Sequence, residues 1–294
     1  MEPSVDIACE ARAPHGECPC WDPRDAALRW VDITDKTVHR FDPGTGLDVP
    51  VRLDVMPGAL SPSRDRGLIM ATNVGFLRLS SDGSVETIAL VENENDLTRM
   101  NDGKCDAQGR FFAGTIAFEL TEKAGTLYRL DSDGAVSAVI RDVTVSNGMG
   151  WSPDARTFYY IDSFAYGIDA FDFDRDTGTV SRKRRLVDVE RKYGLCDGMT
   201  VDSDGGLWVA LFGGWALRRY RPDGSLDREL RLPVSQVTSC TFGGSDWRDL
   251  YITTASITER GRLTEADLKR QPHAGAIFVA RPGVQGLPTN FCAL

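Results

Sequence analysis

The strongest constraint on the fold is repetition. Six times along the chain a short apolar run is followed by a turn and a second run of alternating character. The units open at Leu28, Gly67, Gly109, Arg156, Gly205 and Arg248. Gly205 opens G-G-L-W-V-A-L-F-G-G-W-A-L-R-R-Y-R-P-D-G, and Gly67 opens G-L-I-M-A-T-N-V-G-F-L-R-L-S-S-D-G on the same plan. The starts lie about 40 to 50 residues apart, the period of a four-stranded propeller blade. β-formers fill the runs, and Asp-Gly and Pro-Gly pairs supply the positive-φ positions that tight hairpins need. Helical periodicity is confined to a short turn at Thr264 to Lys269. No Pro/Gly/Ser-rich linker divides the chain, so the expectation is all-β: one six-bladed β-propeller domain spanning residues 1–294. Six similar units argue against two stacked β-sandwiches. Closing the ring requires residues near Val5 to Ala11 to pair beside Ala276 to Ala280.

Composition narrows the function. A net charge of −9 speaks against a nucleic-acid surface, and the one basic cluster, Arg182 to Arg185, is short enough to be a solvated turn. No apolar run approaches a membrane span and no leader pattern opens the sequence, so a cytoplasmic protein is expected. The seven cysteines are scattered and odd in number, which fits reduced thiols. With only three histidines, a nitrogen/sulfur metal cluster is not expected. No feature of the sequence assigns an oligomeric state.

In a propeller the loops entering the innermost strands gather at one mouth, so polar residues at those entries would converge from distant parts of the chain. Glu17, Asn101-Asp102, Asn147 and Asp197 stand at such places in the first, third, fourth and fifth units. Taken singly, Asn-Gly and Asp-Gly are common turn dipeptides. Taken together, two carboxylates and an amide oxygen form an all-oxygen set suited to one hard divalent cation: calcium, magnesium or manganese, with zinc less favoured. Three protein ligands leave positions open for water and substrate. The stretch from Arg99 to Glu119 adds an arginine, an amide and a carboxylate around the apolar run Phe111 to Gly114. Trp151, Trp208 and Trp247 read as blade-packing residues, whereas Trp215 could border the mouth. His15 stands close enough to Glu17 to reach the site but reads as an exposed loop histidine, and Cys240 reads as packing.

The motifs N-D-G-K-x-D-x-x-G-R-x-F-A-G-T from Asn101, D-G-M-x-x-D from Asp197 and T-S-C-x-F-G-G from Thr238 are long and specific. Through them, and from P-H-G-E at Pro14 to the C-terminal repeat, the chain resembles the senescence marker protein/regucalcin and gluconolactonase family of six-bladed propeller lactonases. The resemblance implies one divalent metal held by Glu17, Asn147 and Asp197, with proton transfer also assigned to Asp197. It implies substrate contacts from Arg99, Asn101 and Glu119. The family usually has glycine after the metal-binding glutamate, where this chain has Cys18; a positive φ there would strain it.

The implied reaction is metal-assisted opening of a small-molecule sugar lactone, such as gluconolactone, to the aldonic acid. Water attacks the lactone carbonyl, and Asp197 takes its proton and returns it to the departing ring oxygen. Two other functions stay open at this stage: an arylesterase or phosphotriesterase, and a calcium-binding regulatory propeller without turnover.

Overall fold

The computed structural model describes residues 3–94, 96–258 and 263–294. Its strands form six antiparallel four-stranded sheets. After β1 (Val5–Cys9), the first blade runs β2 (Gly16–Asp22), β3 (Ala27–Asp32), β4 (Thr37–Asp42) and β5 (Leu47–Arg52). The second is β6 (Pro57–Pro62), β7 (Leu68–Thr72), β8 (Gly75–Leu79) and β9 (Val85–Leu90). The third is β10 (Thr98–Cys105), β11 (Phe111–Ala117), β12 (Gly125–Leu130) and β13 (Val136–Val143). The fourth is β14 (Ser146–Trp151), β15 (Thr157–Asp162), β16 (Gly167–Phe173) and β17 (Val180–Asp188). The fifth is β18 (Leu195–Val201), β19 (Leu207–Phe212), β20 (Ala216–Tyr220) and β21 (Leu226–Arg231). The sixth joins β22 (Val237–Gly243), β23 (Asp249–Thr254) and β24 (Ile277–Ala280) to β1. The fold is the expected six-bladed propeller.

Ring closure follows the expectation closely. Val5 pairs with Ala280, Asp6 with Val279 and Ile7 with Phe278, so the N-terminal strand is the outer edge of the last blade. The first strand of each blade packs on the first strands of its neighbours around the axis. These six strands are almost wholly buried, whereas outer strands such as β5 and β9 are mostly exposed. Buried aromatic and aliphatic side chains fill the space between blades; Phe112, Trp151, Phe158 and Phe173 form one such cluster. A carboxylate at the end of an innermost strand locks the turn beyond it. Asp202 is fully buried, takes the N–H groups of Asp204 and Gly206, and accepts from the Trp208 indole and the Arg219 guanidinium.

Two expectations are corrected. The apolar runs that open the repeats, such as Phe111 to Gly114, are the second strands of their blades, so the repeat frame is displaced by one strand. Glu17, Asn101, Asp102, Asn147 and Asp197 therefore lie within innermost strands and not in loops before them. The displacement has a physical cause: Asn-Asp-Gly, Asn-Gly and Asp-Gly look like turns, yet here they occupy β-bulges. Arg182 to Arg185 belong to the outer strand β17 instead of a turn, where Lys183 and Arg185 pair with Asp169 and Arg184 with Asp172. The short helix α1 (Glu265–Arg270) agrees with the sequence, with Thr264 and Asp267 forming a reciprocal capping box.

Candidate metal and substrate site

All six innermost strands slip register against their second strands at the same level. The irregularities fall between Glu17 and Cys20, Pro57 and Ala59, Met100 and Gly103, Ser146 and Met149, Cys196 and Met199, and Val237 and Ser239. A bulge inserts an extra residue and re-aims side chains that would otherwise alternate across the sheet. Here it turns Glu17, Asn101, Asn147 and Asp197 into one cavity of about 380 Å³ at one end of the central channel. All four are buried, and Arg99 joins them on the cavity wall.

Close approach between the blades makes this possible. A Cβ on Gly148 would lie 2.5 Å from the Asp197 carbonyl oxygen, and one on Gly198 would lie 2.1 Å from Ser239 Oγ. Each glycine follows a candidate ligand, so the Asn-Gly and Asp-Gly pairs serve to let adjacent innermost strands touch. The requirement is absence of a side chain, not turn geometry.

The groups are held individually. Glu17 Oε2 accepts the Cys18 amide at 2.9 Å. Asn147 Nδ2 donates to Ser163 Oγ at 3.0 Å, while Asn147 Oδ1 is buried with no hydrogen-bond partner. Asn101 Nδ2 donates to the Ser146 carbonyl at 2.9 Å, and its Oδ1 accepts from Arg99 Nη1 at 2.8 Å. The same nitrogen of Arg99 donates to the Met100 carbonyl. Burial, reinforced by the neighbouring carboxylates of Asp197 and Asp102, pushes the Glu17 carboxyl well above the usual range, and the Arg99 charge offsets this only in part.

An orphaned buried amide oxygen beside mutually repelling carboxylates fits a hard dication, which would satisfy the first and neutralise the second. Among the described residues no group of three His, Cys, Asp or Glu side chains is placed to hold a metal. The set needs its amide oxygen.

Cys18 sits at φ +44°, the left-handed conformation that glycine adopts without penalty. Its side chain is accommodated: Sγ accepts the Leu60 N–H at 3.2 Å and donates to the Leu60 carbonyl at 3.5 Å. The loop thus keeps its bulge despite the substitution at the expected glycine. Asp102 is buried too, but it lines a second cavity on the opposite side of the bulges, together with Cys18 and Lys104. Asn101 and Asp102 accordingly face opposite ends of the channel.

Glu119 lies apart. It is exposed in the turn after β11 and is not among the cavity-lining residues, although its neighbours Phe118 and Leu120 are. Trp215 is likewise outside the cavity, whereas His15 is half-buried in its wall and not simply exposed. Ser163 was not singled out from the sequence. An isolated serine after a strand carries no signal until its contact with Asn147 is seen. Cys240 packs as expected, buried with Sγ on the Trp208 carbonyl, and the seven cysteines are all free.

The SMP-30/Gluconolactonase/LRE-like region matches residues 15–256 of this chain. The chain belongs to that family. Regucalcin of Gallus gallus is 38% identical over 296 residues, covering 97% of each protein. Among solved structures, a luciferin-regenerating enzyme superposes with a TM-score of 0.92 at 28% identity, covering 99% of this chain and 100% of that one. A regucalcin from Agrobacterium tumefaciens, described as calcium-binding, gives 0.95 at 25% identity, covering 99% and 98%. The chain is therefore a regucalcin-like member of a family that includes gluconolactonases.

Proposed function

We propose that the protein is a divalent-metal-dependent lactonase that opens sugar lactones to aldonic acids. The observation that carries this reading is the meeting of Glu17, Asn147 and Asp197 from three blades in one buried cavity, with Asn147 Oδ1 lacking a partner. Glu17, Asn147 and Asp197 would hold the cation. A bound divalent cation supplies Lewis-acid polarisation of the lactone carbonyl. Calcium has support from the calcium-binding description of the Agrobacterium relative, and the all-oxygen donors suit magnesium and manganese as well.

Asp197 takes the proton of the attacking water and delivers it to the ring oxygen as the ester bond breaks. Arg99 and Asn101, already joined by a hydrogen bond, present donors to the substrate's oxygens. Glu119, outermost of the set, would accept a hydrogen bond from a hydroxyl group at the mouth.

The test is a pH-indicator assay over five- and six-membered sugar lactones, using chelated protein and protein restored with calcium, magnesium, manganese or zinc. Turnover that disappears on chelation and returns with metal is expected. Absence of metal-dependent opening of any lactone would overturn the proposal. Faster turnover of an aryl ester or phosphotriester under the same metal would reassign the reaction.

A further inference from the structure

The cavity is polar at its floor and unevenly lined above it. The floor is built by the bulges of the innermost strands, with Glu17, Asn101, Asn147 and Asp197. Above it, blades three, four and five contribute Phe118, Leu120, Val145, Phe164, Leu195 and Phe212. The other side is mixed: His15, Thr34 and, between β23 and β24 of blade six, Ser256 and Thr258 alternate with Ile33, Met56 and Ile257. Ser256 donates its hydroxyl proton to the Ala13 carbonyl at 3.0 Å. On blades three to five, Ser163 is engaged with Asn147 and Arg99 with Asn101.

Phe118 and Phe164 are 38% and 40% exposed. Large apolar side chains left open to water around a mouth gain from covering by a ligand of matching character. A lactone whose carbonyl rests on the polar floor must direct its remaining carbons up into this collar. A hydroxyl directed at Phe118, Phe164 or Phe212 would lose water and gain no partner from those side chains.

Resting on the lactonase reading above, we propose that the preferred substrate is a sugar lactone that ends, away from its carbonyl, in a methyl or other alkyl group. A deoxy-sugar lactone has this form, oriented with its hydroxyls toward the polar floor and Arg99 and its alkyl end against Phe118, Phe164 and Phe212. The collar sets preference within the lactone class, and the floor sets the reaction.

The experiment compares matched pairs that differ only at the terminal carbon: L-fucono- against L-galactonolactone, and L-rhamnono- against L-mannonolactone, with calcium-restored protein. The deoxy member is expected to have the higher kcat/KM by about tenfold in at least one pair, the scale on which apolar pockets discriminate. In Phe118→Ser and Phe164→Ser the ratio should fall toward one, mainly through KM of the deoxy member. A smaller preference in both pairs, or preference for the hydroxymethyl lactone, overturns this inference and leaves the lactonase reading standing. Failure to open any lactone with metal restored would instead overturn the lactonase reading, and this one with it.

Discussion

The Asn147 amide is oriented by Ser163: Nδ2 donates to Ser163 Oγ at 3.0 Å, and the carbonyl oxygen is left buried without a partner. Ser163 begins a single 3-10 turn, Ser163–Ala165, capped by the Asp162 carboxylate, which also accepts the Thr144 and Val145 amides. The chain segments on both sides of Asn147 are thus tied to one carboxylate. The hydroxyl decides which end of the amide faces the cavity.

Ser163→Ala should weaken calcium binding roughly tenfold or more, the usual cost of removing a group that orients a ligand. The melting temperature of the metal-free protein should change little, because one exchanged hydroxyl is a small loss. Calorimetric calcium titration beside thermal melting checks both. Unchanged affinity would mean that the amide is oriented by the strand alone.

Gly148→Ala should damage the site from the strand behind it. A Cβ 2.5 Å from the Asp197 carbonyl forces β14 and β18 apart, at about 1–3 kcal/mol for overpacking. Metal affinity and melting temperature should fall together. A variant with both at wild-type values would show that the blades absorb the added carbon.

Two substitutions at Cys18 separate backbone strain from side-chain contacts. Cys18→Ala keeps a Cβ at φ +44° but loses the sulfur that accepts the Leu60 N–H, so the melting temperature should fall. Cys18→Gly also loses the sulfur yet relieves about 1 kcal/mol of left-handed strain, and should be the more stable of the two. Equal melting temperatures would assign the position to packing alone.

Arg99→Ala should lower kcat/KM about tenfold to a hundredfold through KM, while calcium titrates normally. Arg99→Lys should recover little, since an ammonium group lacks the planar fork that can hold Asn101 while contacting substrate. Loss of calcium binding in either variant would show that Arg99 supports the ligands and not the substrate.

The propeller was legible because each blade repeats the same apolar run and turn, and short-range pattern survives in the sequence. The innermost strands were not, because their bulge residues carry the composition of turns. Asn101-Asp102-Gly103 illustrates the difficulty: three turn-forming residues lie in mid-strand and send Asn101 and Asp102 to different cavities. The convergence of Glu17, Asn147 and Asp197 could be anticipated from their equivalent places in the first, fourth and fifth units. The role of Ser163 and the apolar collar could not, since Phe118, Phe164 and Phe212 are unrelated in sequence and meet only when the ring is formed.

The pairing of β1 with β24 also bears on how the protein assembles. The sixth blade cannot be completed until its fourth strand, made before its other three, meets β24, about 270 residues later in the chain. Such a contact has an extreme sequence separation and forms late when loop closure limits folding. Glu17 and Asp197 lie on blades one and five, with the sixth between them. Tight calcium binding would therefore mark circular closure, and a nascent or truncated chain lacking its last strand should hold the cation poorly even with every proposed ligand already translated.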